Sequence, residues 1–246
     1  QDPHFVDPKP SFILAVSKAD ALIVVGRELE IGWLPPLLTS SRNAKIQPGS
    51  KGYLDASLNV KILEIPTGQI TRAMGDVHPS GNPHYWLDPR NAPAVANDIA
   101  DGLARVDPAN AAKYHARATA FGKEAQAAYE KGRATVKDLP SRAVFTYHKS
   151  WSYLADAFGL DVVSTVEPVP GIPPTARHLS ELVTMSRARK VGLLLEEPYF
   201  SADAGRFLTR EAGLRVIAVG SSCDGPEAGR YLAHLQAVLA QIAGGK

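Results

Sequence analysis

The stretch AVFTYHKSWSYLADAFGLDVVSTV, residues 143–166, decides the fold class of this chain. It opens with a β-prone run, Ala143–Tyr147, and continues with a segment that predicts a helix over Trp151–Phe158. Gly159 marks the end of that helix, and Asp161–Val166 is a second β-prone run, rich in Val and Thr. Two strands joined by a helix in this way predict a parallel pair with a right-handed crossover. The stretch therefore indicates an α/β protein.

The same alternation continues to the C-terminus. Thr175 is a candidate N-cap for a helix with an apolar stripe, and the apolar run Val191–Leu195 predicts a strand buried on both faces. The remaining predictions are a helix over Ala202–Ala212, a strand over Leu214–Val219 and a last helix over Pro226–Ile242. Strands that are each followed by a helix predict a parallel α/β lobe over residues 141–246.

Residues 1–106 show a less complete version of this pattern and predict a second α/β lobe. Predicted strands are Ala21–Val25 and Val60–Ile65, and predicted helices begin at Ser11 and cover Trp33–Leu38. No strand precedes the first helix, so we expect the first strand of this lobe to be missing. The chain begins at Gln1 without Met or a signal-like segment, from which we expect a processed or trimmed start.

A long helix is predicted between the two lobes, over residues 107–140. Asp107 and Pro108 suit the N-cap and first position, and an apolar stripe runs along Tyr114, Ala118, Phe121, Ala125 and Ala128. A helix of roughly 30 residues would be about 45 Å long. We interpret it as a spine that joins the lobes, and a helix inside one domain is the alternative.

Composition excludes several classes of protein. The chain has 246 residues, 45% of them hydrophobic and 21% charged, as is usual for soluble globular proteins. Lys and Arg number 27 against 25 for Asp and Glu, a balance that argues against a nucleic-acid-binding protein. The longest apolar runs have five residues, whereas a membrane-spanning helix needs about 20.

Histidines are the candidate functional residues, because the chain has a single cysteine, Cys223. A transition-metal site would have to use imidazole and carboxylate ligands. His4 and His84 lie in loops punctuated by proline, and His148 directly follows a predicted strand. The carboxyl ends of parallel strands are where α/β proteins bind their ligands, which makes His148 well placed for function.

The other four histidines are expected to have surface or capping roles. His115, His178 and His234 fall inside predicted helices without a suitable partner one turn away, and His78 lies in a turn. No GxGxxG, GxxxxGK[ST], GxSxG or HExxH motif is present, which removes the usual support for nucleotide binding and for hydrolase chemistry.

Five blocks along the chain resemble one known family: DPHFVDPKPS, GYLDAS, MGDVHPSGNPHYWLDPRN, TYHKSWSYLADAFGL and LLEEPYFS. In this order and spacing they are similar to the substrate-binding proteins of zinc and manganese ABC transporters, the cluster A-I or cluster 9 metal-binding proteins. The resemblance covers nearly the whole chain. It implies two parallel-sheet α/β lobes, one long spine helix between them, and a metal site in the interlobe cleft.

The resemblance also implies the metal ligands. The family's three histidine positions fall on His4, His84 and His148. Manganese-type relatives commonly have Glu at the third position, whereas this chain has His. Imidazole nitrogen suits zinc and carboxylate oxygen suits manganese, so Zn²⁺ is the expected ligand and Mn²⁺ the alternative.

The fourth ligand is left open. The family usually places an Asp or Glu after the last strand, but here that strand runs into Gly220, Ser221 and Ser222. Glu197, at the end of a predicted strand, is the candidate that we favour; Asp224 and water are the alternatives. Glu196 or Glu197 could instead cap the following helix.

The resemblance implies a binding protein, not an enzyme. We expect an extracytoplasmic or periplasmic monomer, with a lipoprotein anchor as one possibility, that captures the metal and delivers it to an ABC permease. A zinc-dependent hydrolase that uses the three-histidine site is the competing hypothesis, since three His ligands with an open position also suit catalysis.

Overall fold

A computed structural model describes residues 1–68, 75, 78–223 and 230–244. Its contacts divide the chain into two compact units. The first consists of Gln1–Pro66, His78–Tyr85 and Asn91–Ala125, and the second of the described residues in Thr67–Val77, Trp86–Arg90 and Gln126–Lys246. The limits predicted from sequence, 1–106, 107–140 and 141–246, stay a prediction.

The second unit contains a four-stranded parallel sheet. Its strands are β3 (Ala143–Thr146), β4 (Asp161–Thr165), β5 (Leu193–Glu196) and β6 (Arg215–Ala218), in the order β4-β3-β5-β6. The helices of this unit are α5 (Ser152–Phe158), α6 (Ala176–Arg189), α7 (Asp203–Ala212) and α8 (Arg230–Ile242). The predicted α/β class with parallel strands is therefore confirmed.

The core of this unit explains why these segments form strands. Phe145 and Leu194 are fully buried on neighbouring strands, and Leu182 and Leu208 reach the same cluster from α6 and α7. A parallel sheet covered by helices needs apolar side chains on its strands, as the sequence pattern indicated. Thr175 caps α6 as predicted, because its hydroxyl accepts a hydrogen bond from the His178 backbone N–H at 3.2 Å.

The first unit is built around a two-stranded parallel sheet, β1 (Leu22–Val24) with β2 (Tyr53–Asp55). Its helices are α1 (Pro10–Ser17), α2 (Leu34–Ser41) and α3 (Ala92–Val106). The strand predicted over Val60–Ile65 is wrong, and the strand β2 was not predicted.

Polar neighbours explain why residues 60–65 do not form the predicted strand. The backbone N–H groups of Asn59 and Lys61 donate to the side chains of Asp98 and Asn91, and the Leu63 carbonyl accepts from Asn82 N–H. Glu64 has a φ of 54°, in the left-handed region. Two side chains and one distant backbone N–H thus satisfy backbone groups that a strand ladder would otherwise use.

The long helix α4 covers Ala111–Thr135, 25 residues or about 37 Å, and is shorter than predicted at both ends. A separate helical turn, Pro108–Asn110, precedes it. Asp107 is the N-cap residue of this turn and Pro108 follows it, but the Asp107 carboxylate makes no capping hydrogen bond and accepts hydrogen bonds from the side chains of Asn110 and Tyr114. The contacts assign the helix up to Ala125 to the first unit and the rest to the second.

Candidate metal centre

His4 is buried in a turn held by its neighbour Asp2. The Asp2 Oδ1 atom accepts a hydrogen bond from the His4 backbone N–H at 2.9 Å and lies 2.8 Å from Nδ1 of the His4 ring. The indole N–H of Trp33 donates to the Pro3 carbonyl at 3.0 Å. This last bond fastens the turn to the residue that precedes α2.

His84 is held in the same way. Asn82 Oδ1 accepts a hydrogen bond from the His84 backbone N–H at 2.9 Å and lies 2.9 Å from His84 Nδ1. The Asn82 side chain in turn donates to Glu64 at 3.1 Å. The hydroxyl of the next residue, Tyr85, donates a hydrogen bond at 2.7 Å to the carbonyl of Val25, which directly follows β1. His84 is 1% exposed, so its ring is shielded from solvent.

The two turns share a local motif, Asp-Pro-His at residues 2–4 and Asn-Pro-His at residues 82–84. In both, one side-chain oxygen contacts the backbone N–H and the ring Nδ1 of the histidine two residues later. An acceptor at Nδ1 stabilises the tautomer that carries its proton there, which leaves the lone pair on Nε2. Both histidines are thereby prepared to bind a metal through Nε2.

The two rings lie close together within the first unit, with their centroids 5.1 Å apart. The ring of His78 lies 5.2 Å from that of His4, and its Nε2 atom is buried. His78 as a whole is partly exposed, so the expected surface position stays a prediction, and the contact with His4 is an addition that the sequence did not indicate. The only signal in the sequence was its position six residues before His84, which does not by itself specify a contact with His4.

His148 is the candidate ligand of the second unit and directly follows the end of β3. Its Nδ1 atom lies 2.7 Å from Glu167 Oε2, and both side chains are at least nine-tenths buried. Glu167 follows β4, and its backbone N–H donates to the Tyr147 carbonyl at 3.0 Å. The carboxylate favours the tautomer with the proton on Nδ1, as the Asx side chains do in the first unit, which puts the ring's lone pair on Nε2. The sequence analysis missed Glu167.

Glu197 follows β5 and is fully buried. Neither of its carboxylate oxygens has a hydrogen bond of normal geometry among the described residues, although Ser150 and Trp151 are polar neighbours. Burial raises the pKa of Glu197 to about 7, and the opposing effects of Ser150 and His148 are smaller. A buried carboxylate in such surroundings is suited to a bound cation, which would offset its desolvation.

Glu196 has a different environment from Glu197. Its Oε2 atom faces α7, where a Cβ added to Gly205 would lie only 2.4 Å away. Burial raises the pKa of Glu196 to about 6. The first helical turn of α7 has Ala202 at its N-cap and no side-chain cap, so the alternative that Glu196 or Glu197 caps this helix is wrong.

The sheet order explains why His148 and Glu197 belong to one region of the second unit. They follow β3 and β5, which are neighbours although β4 lies between them in the chain. This is the point where the strand order reverses, and open parallel sheets bind ligands beside the carboxyl ends of the strands there. Phe200 covers this region, with its ring stacked 4.2 Å from that of Tyr147.

The remaining histidines lie elsewhere. His115 is half exposed on α4, and His234 Nε2 is 2.9 Å from the Gly220 carbonyl. His178 Nε2 is 3.0 Å from the Thr165 carbonyl, and its Nδ1 lies 3.9 Å from Glu181 one turn away, a carboxylate neighbour that the sequence analysis overlooked. Asp224, the alternative fourth ligand, lies outside the described residues.

A family model described as ZnuA, zinc-uptake complex component A periplasmic, matches residues 1–245. The chain belongs to this family. The family is one of metal-binding ABC-transporter substrate-binding proteins and not of enzymes, which removes the hydrolase alternative. The family resemblance inferred from the sequence is thus confirmed.

The names of individual relatives mention different metals. The high-affinity zinc uptake system protein ZnuA of Brucella abortus is 27% identical over 117 residues, which are 48% of this chain and 35% of that protein. The manganese ABC transporter substrate-binding lipoprotein PsaA of Streptococcus pneumoniae is 23% identical over 100% of this chain and 78% of its own length. The chain thus matches only about a third of the Brucella protein.

A crystal structure of ZnuA superposes with a TM-score of 0.81 at 27% identity, covering 100% of this chain and 86% of that one. The Mn²⁺ complex of FpvC from Pseudomonas aeruginosa has the same TM-score at 26% identity and covers 99% and 85%. Among the described residues, no helix is long and apolar enough to span a membrane.

Proposed function

We propose that this chain is the substrate-binding component of an ABC importer and captures Zn²⁺ through Nε2 of His4, His84 and His148. The observation that carries the proposal is the common arrangement of the three buried rings. Each has an oxygen 2.7–2.9 Å from Nδ1, supplied by Asp2, Asn82 or Glu167. Such oxygen partners are typical of histidines that bind metals, because they fix the tautomer and raise the basicity of the ligand nitrogen.

Zinc is proposed over manganese because of the donor atoms. Three imidazole nitrogens suit Zn²⁺, whereas Mn²⁺ prefers sites rich in carboxylate and carbonyl oxygen. We propose Glu197 as the fourth ligand, since its carboxylate is fully buried and, within the described part of the chain, has no hydrogen bond of normal geometry. Three nitrogens and one oxygen would complete the tetrahedral coordination that zinc favours.

The proposed role places the protein outside the cytoplasm, where it delivers the metal to a membrane-embedded ABC permease. The family name supports the periplasmic or extracytoplasmic location. We propose that the protein acts as a monomer whose cargo is the metal ion, without nucleic acid as a partner.

Metal titration of the purified protein tests the proposal. We expect one Zn²⁺ per chain, bound with a nanomolar dissociation constant in competition with a chromophoric chelator, which corresponds to about −12 kcal/mol. His148→Ala should weaken binding at least a hundredfold. His115→Ala is the matched control and should bind as the unmodified protein does, because His115 is half exposed on α4.

The same titration with Mn²⁺ discriminates the two metals. Zinc-type function predicts weak, readily displaced Mn²⁺, whereas tighter binding of Mn²⁺ than of Zn²⁺ would assign the protein to the manganese-binding members. Unchanged Zn²⁺ affinity in His148→Ala would overturn the proposed ligand set.

A further inference from the structure

The division between the two units falls just after His84, between Tyr85 and Trp86. Tyr85 belongs to the first unit, where its hydroxyl donates to the Val25 carbonyl at 2.7 Å. Trp86 belongs to the second unit, and both residues form the helical turn Tyr85–Leu87. The residue two positions after His84 therefore packs within the second unit.

Trp86 is held at two points. Its indole N–H donates to the Ser221 carbonyl at 2.7 Å, and its own carbonyl accepts a hydrogen bond from the Tyr231 hydroxyl at 2.7 Å. Ser221 lies just beyond β6 and is buried, and Tyr231 lies in the first turn of α8. Burial strongly raises the pKa of Tyr231, as expected of a phenol shielded from water.

A charged contact follows in the same segment. Arg90 binds Asp88 through Nε and Nη2 at 2.8–3.0 Å and also contacts Asp156 on α5. Residues 86–90 are thus fastened to the second unit through a side chain, a carbonyl and an ion pair. Of these contacts, the Tyr231 hydrogen bond is made to the backbone nearest to His84, at the carbonyl two residues later.

We propose that Tyr231 and Trp86 are positioning residues that hold the candidate metal ligand His84 in the orientation required for binding. The inference rests on the proposed function. Asn82, two residues before His84, contacts the ring. The hydrogen bond from Tyr231 to the Trp86 carbonyl holds the backbone two residues after His84. Loss of a partner that orients a metal ligand typically lowers metal affinity 10–100-fold, because the ligand must then be ordered by the metal itself.

Replacing Tyr231 with Phe removes the hydroxyl and retains the aromatic ring. We expect Tyr231→Phe to weaken Zn²⁺ binding about tenfold, mainly through faster dissociation, and to change the visible absorption spectrum of the Co²⁺-loaded protein. The matched control is Tyr114→Phe, whose lost hydroxyl donates to Asp107 at 2.7 Å on the surface of the first unit. This control should leave Zn²⁺ affinity and the Co²⁺ spectrum unchanged.

A double variant separates positioning from a general structural role. Because Tyr231 acts through His84, adding Tyr231→Phe to His84→Ala should weaken Zn²⁺ binding no further. A further tenfold loss in the double variant would contradict the positioning role, as would wild-type affinity and an unchanged Co²⁺ spectrum in Tyr231→Phe. Trp86→Phe, which removes the indole donor, provides a second variant with the same expected direction.

The two proposals fail in different ways. If the unmodified protein binds neither Zn²⁺ nor Co²⁺, the proposed function fails. The other case is that the unmodified protein binds Zn²⁺ tightly, that His84→Ala weakens this binding, and that Tyr231→Phe has the same Zn²⁺ affinity as Tyr114→Phe. In that case only the positioning role is overturned.

Discussion

At the scale of single residues, carboxylates and amides determine how each histidine can act. Asp2, Asn82 and Glu167 face Nδ1 of their histidines at 2.7–2.9 Å. The first two partners are local in sequence, at the second position before the histidine, and a search for repeated Asx-Pro-His motifs could have found them. Glu167 is 19 residues from His148, and only the pairing of β3 with β4 brings them together.

Glu197 provides a prediction about pH and stability. Burial raises its pKa to about 7 in the folded protein, against about 4.3 when unfolded. Between these values the unfolded chain loses the proton and the folded protein retains it, so the group destabilises the fold increasingly as pH rises to about 7. Glu197→Gln should remove this penalty. The metal-free variant should therefore exceed the unmodified protein in stability by about 3–4 kcal/mol at pH 8 and by almost nothing at pH 4.

Urea denaturation of both proteins across this pH range measures the difference. Glu181→Gln is the matched control, because it makes the same chemical change at a carboxylate that is about half exposed on α6. Zn²⁺ affinity should change in the opposite direction and fall in Glu197→Gln, since the proposed fourth ligand is lost. A stability difference that does not vary with pH would contradict the account of Glu197.

At the scale of secondary-structure elements, close packing sets requirements that local sequence pattern does not reveal. Gly102 in α3 contacts β2, where an added Cβ would lie 2.2 Å from Leu54 Cδ2. Leu54 is itself buried, at 2% exposed. The glycine therefore permits α3 to pack against the strand, even though glycine is unfavourable inside a helix.

Two helical glycines allow a matched test of this packing. Gly102→Ala should destabilise the protein by about 1–3 kcal/mol, because the side chain of Leu54 or the helix must move. Gly122→Ala in α4 should be neutral or stabilise by up to about 1 kcal/mol, since its nearest atoms, in Pro93, are at an ordinary 3.4 Å. Chemical denaturation compares the two variants, and equal stabilities would contradict the close α3–β2 contact.

At the scale of the whole molecule, binding of the proposed Zn²⁺ ligand should raise the free energy of unfolding. A ligand that binds only the folded protein stabilises it by about 2.7 kcal/mol at a free concentration a hundred times its dissociation constant. For a chain of 246 residues this corresponds to an increase in melting temperature of roughly 5–10 °C. The net charge of +2 is too small to attract Zn²⁺ or repel it strongly, so this effect should come from the ligands.

The zinc-induced increase in melting temperature should be large at pH 7.5 and mostly lost at pH 5.5. Free histidine protonates near pH 6.5, and Glu197, with its pKa raised to about 7, holds its proton below that value, so Zn²⁺ must compete with protons at every ligand. Thermal unfolding with Zn²⁺ and with a chelator measures the effect. An equal increase at both pH values, or a full increase in His148→Ala, would argue against these ligands.

The sequence by itself determined the α/β class, the alternation of strands and helices after residue 141 and the imidazole chemistry of the candidate site, because periodicity and residue type are local properties. The tertiary structure decided the order β4-β3-β5-β6, the contact of Glu167 with His148 and the place of His78 beside His4. It also corrected the strand predicted at Val60–Ile65, where Lys61 N–H donates to the Asn91 side chain and the Leu63 carbonyl accepts from the Asn82 backbone N–H, both more than 15 residues away. Such contacts depend on which elements pack together, and the pattern of a single segment does not contain that information.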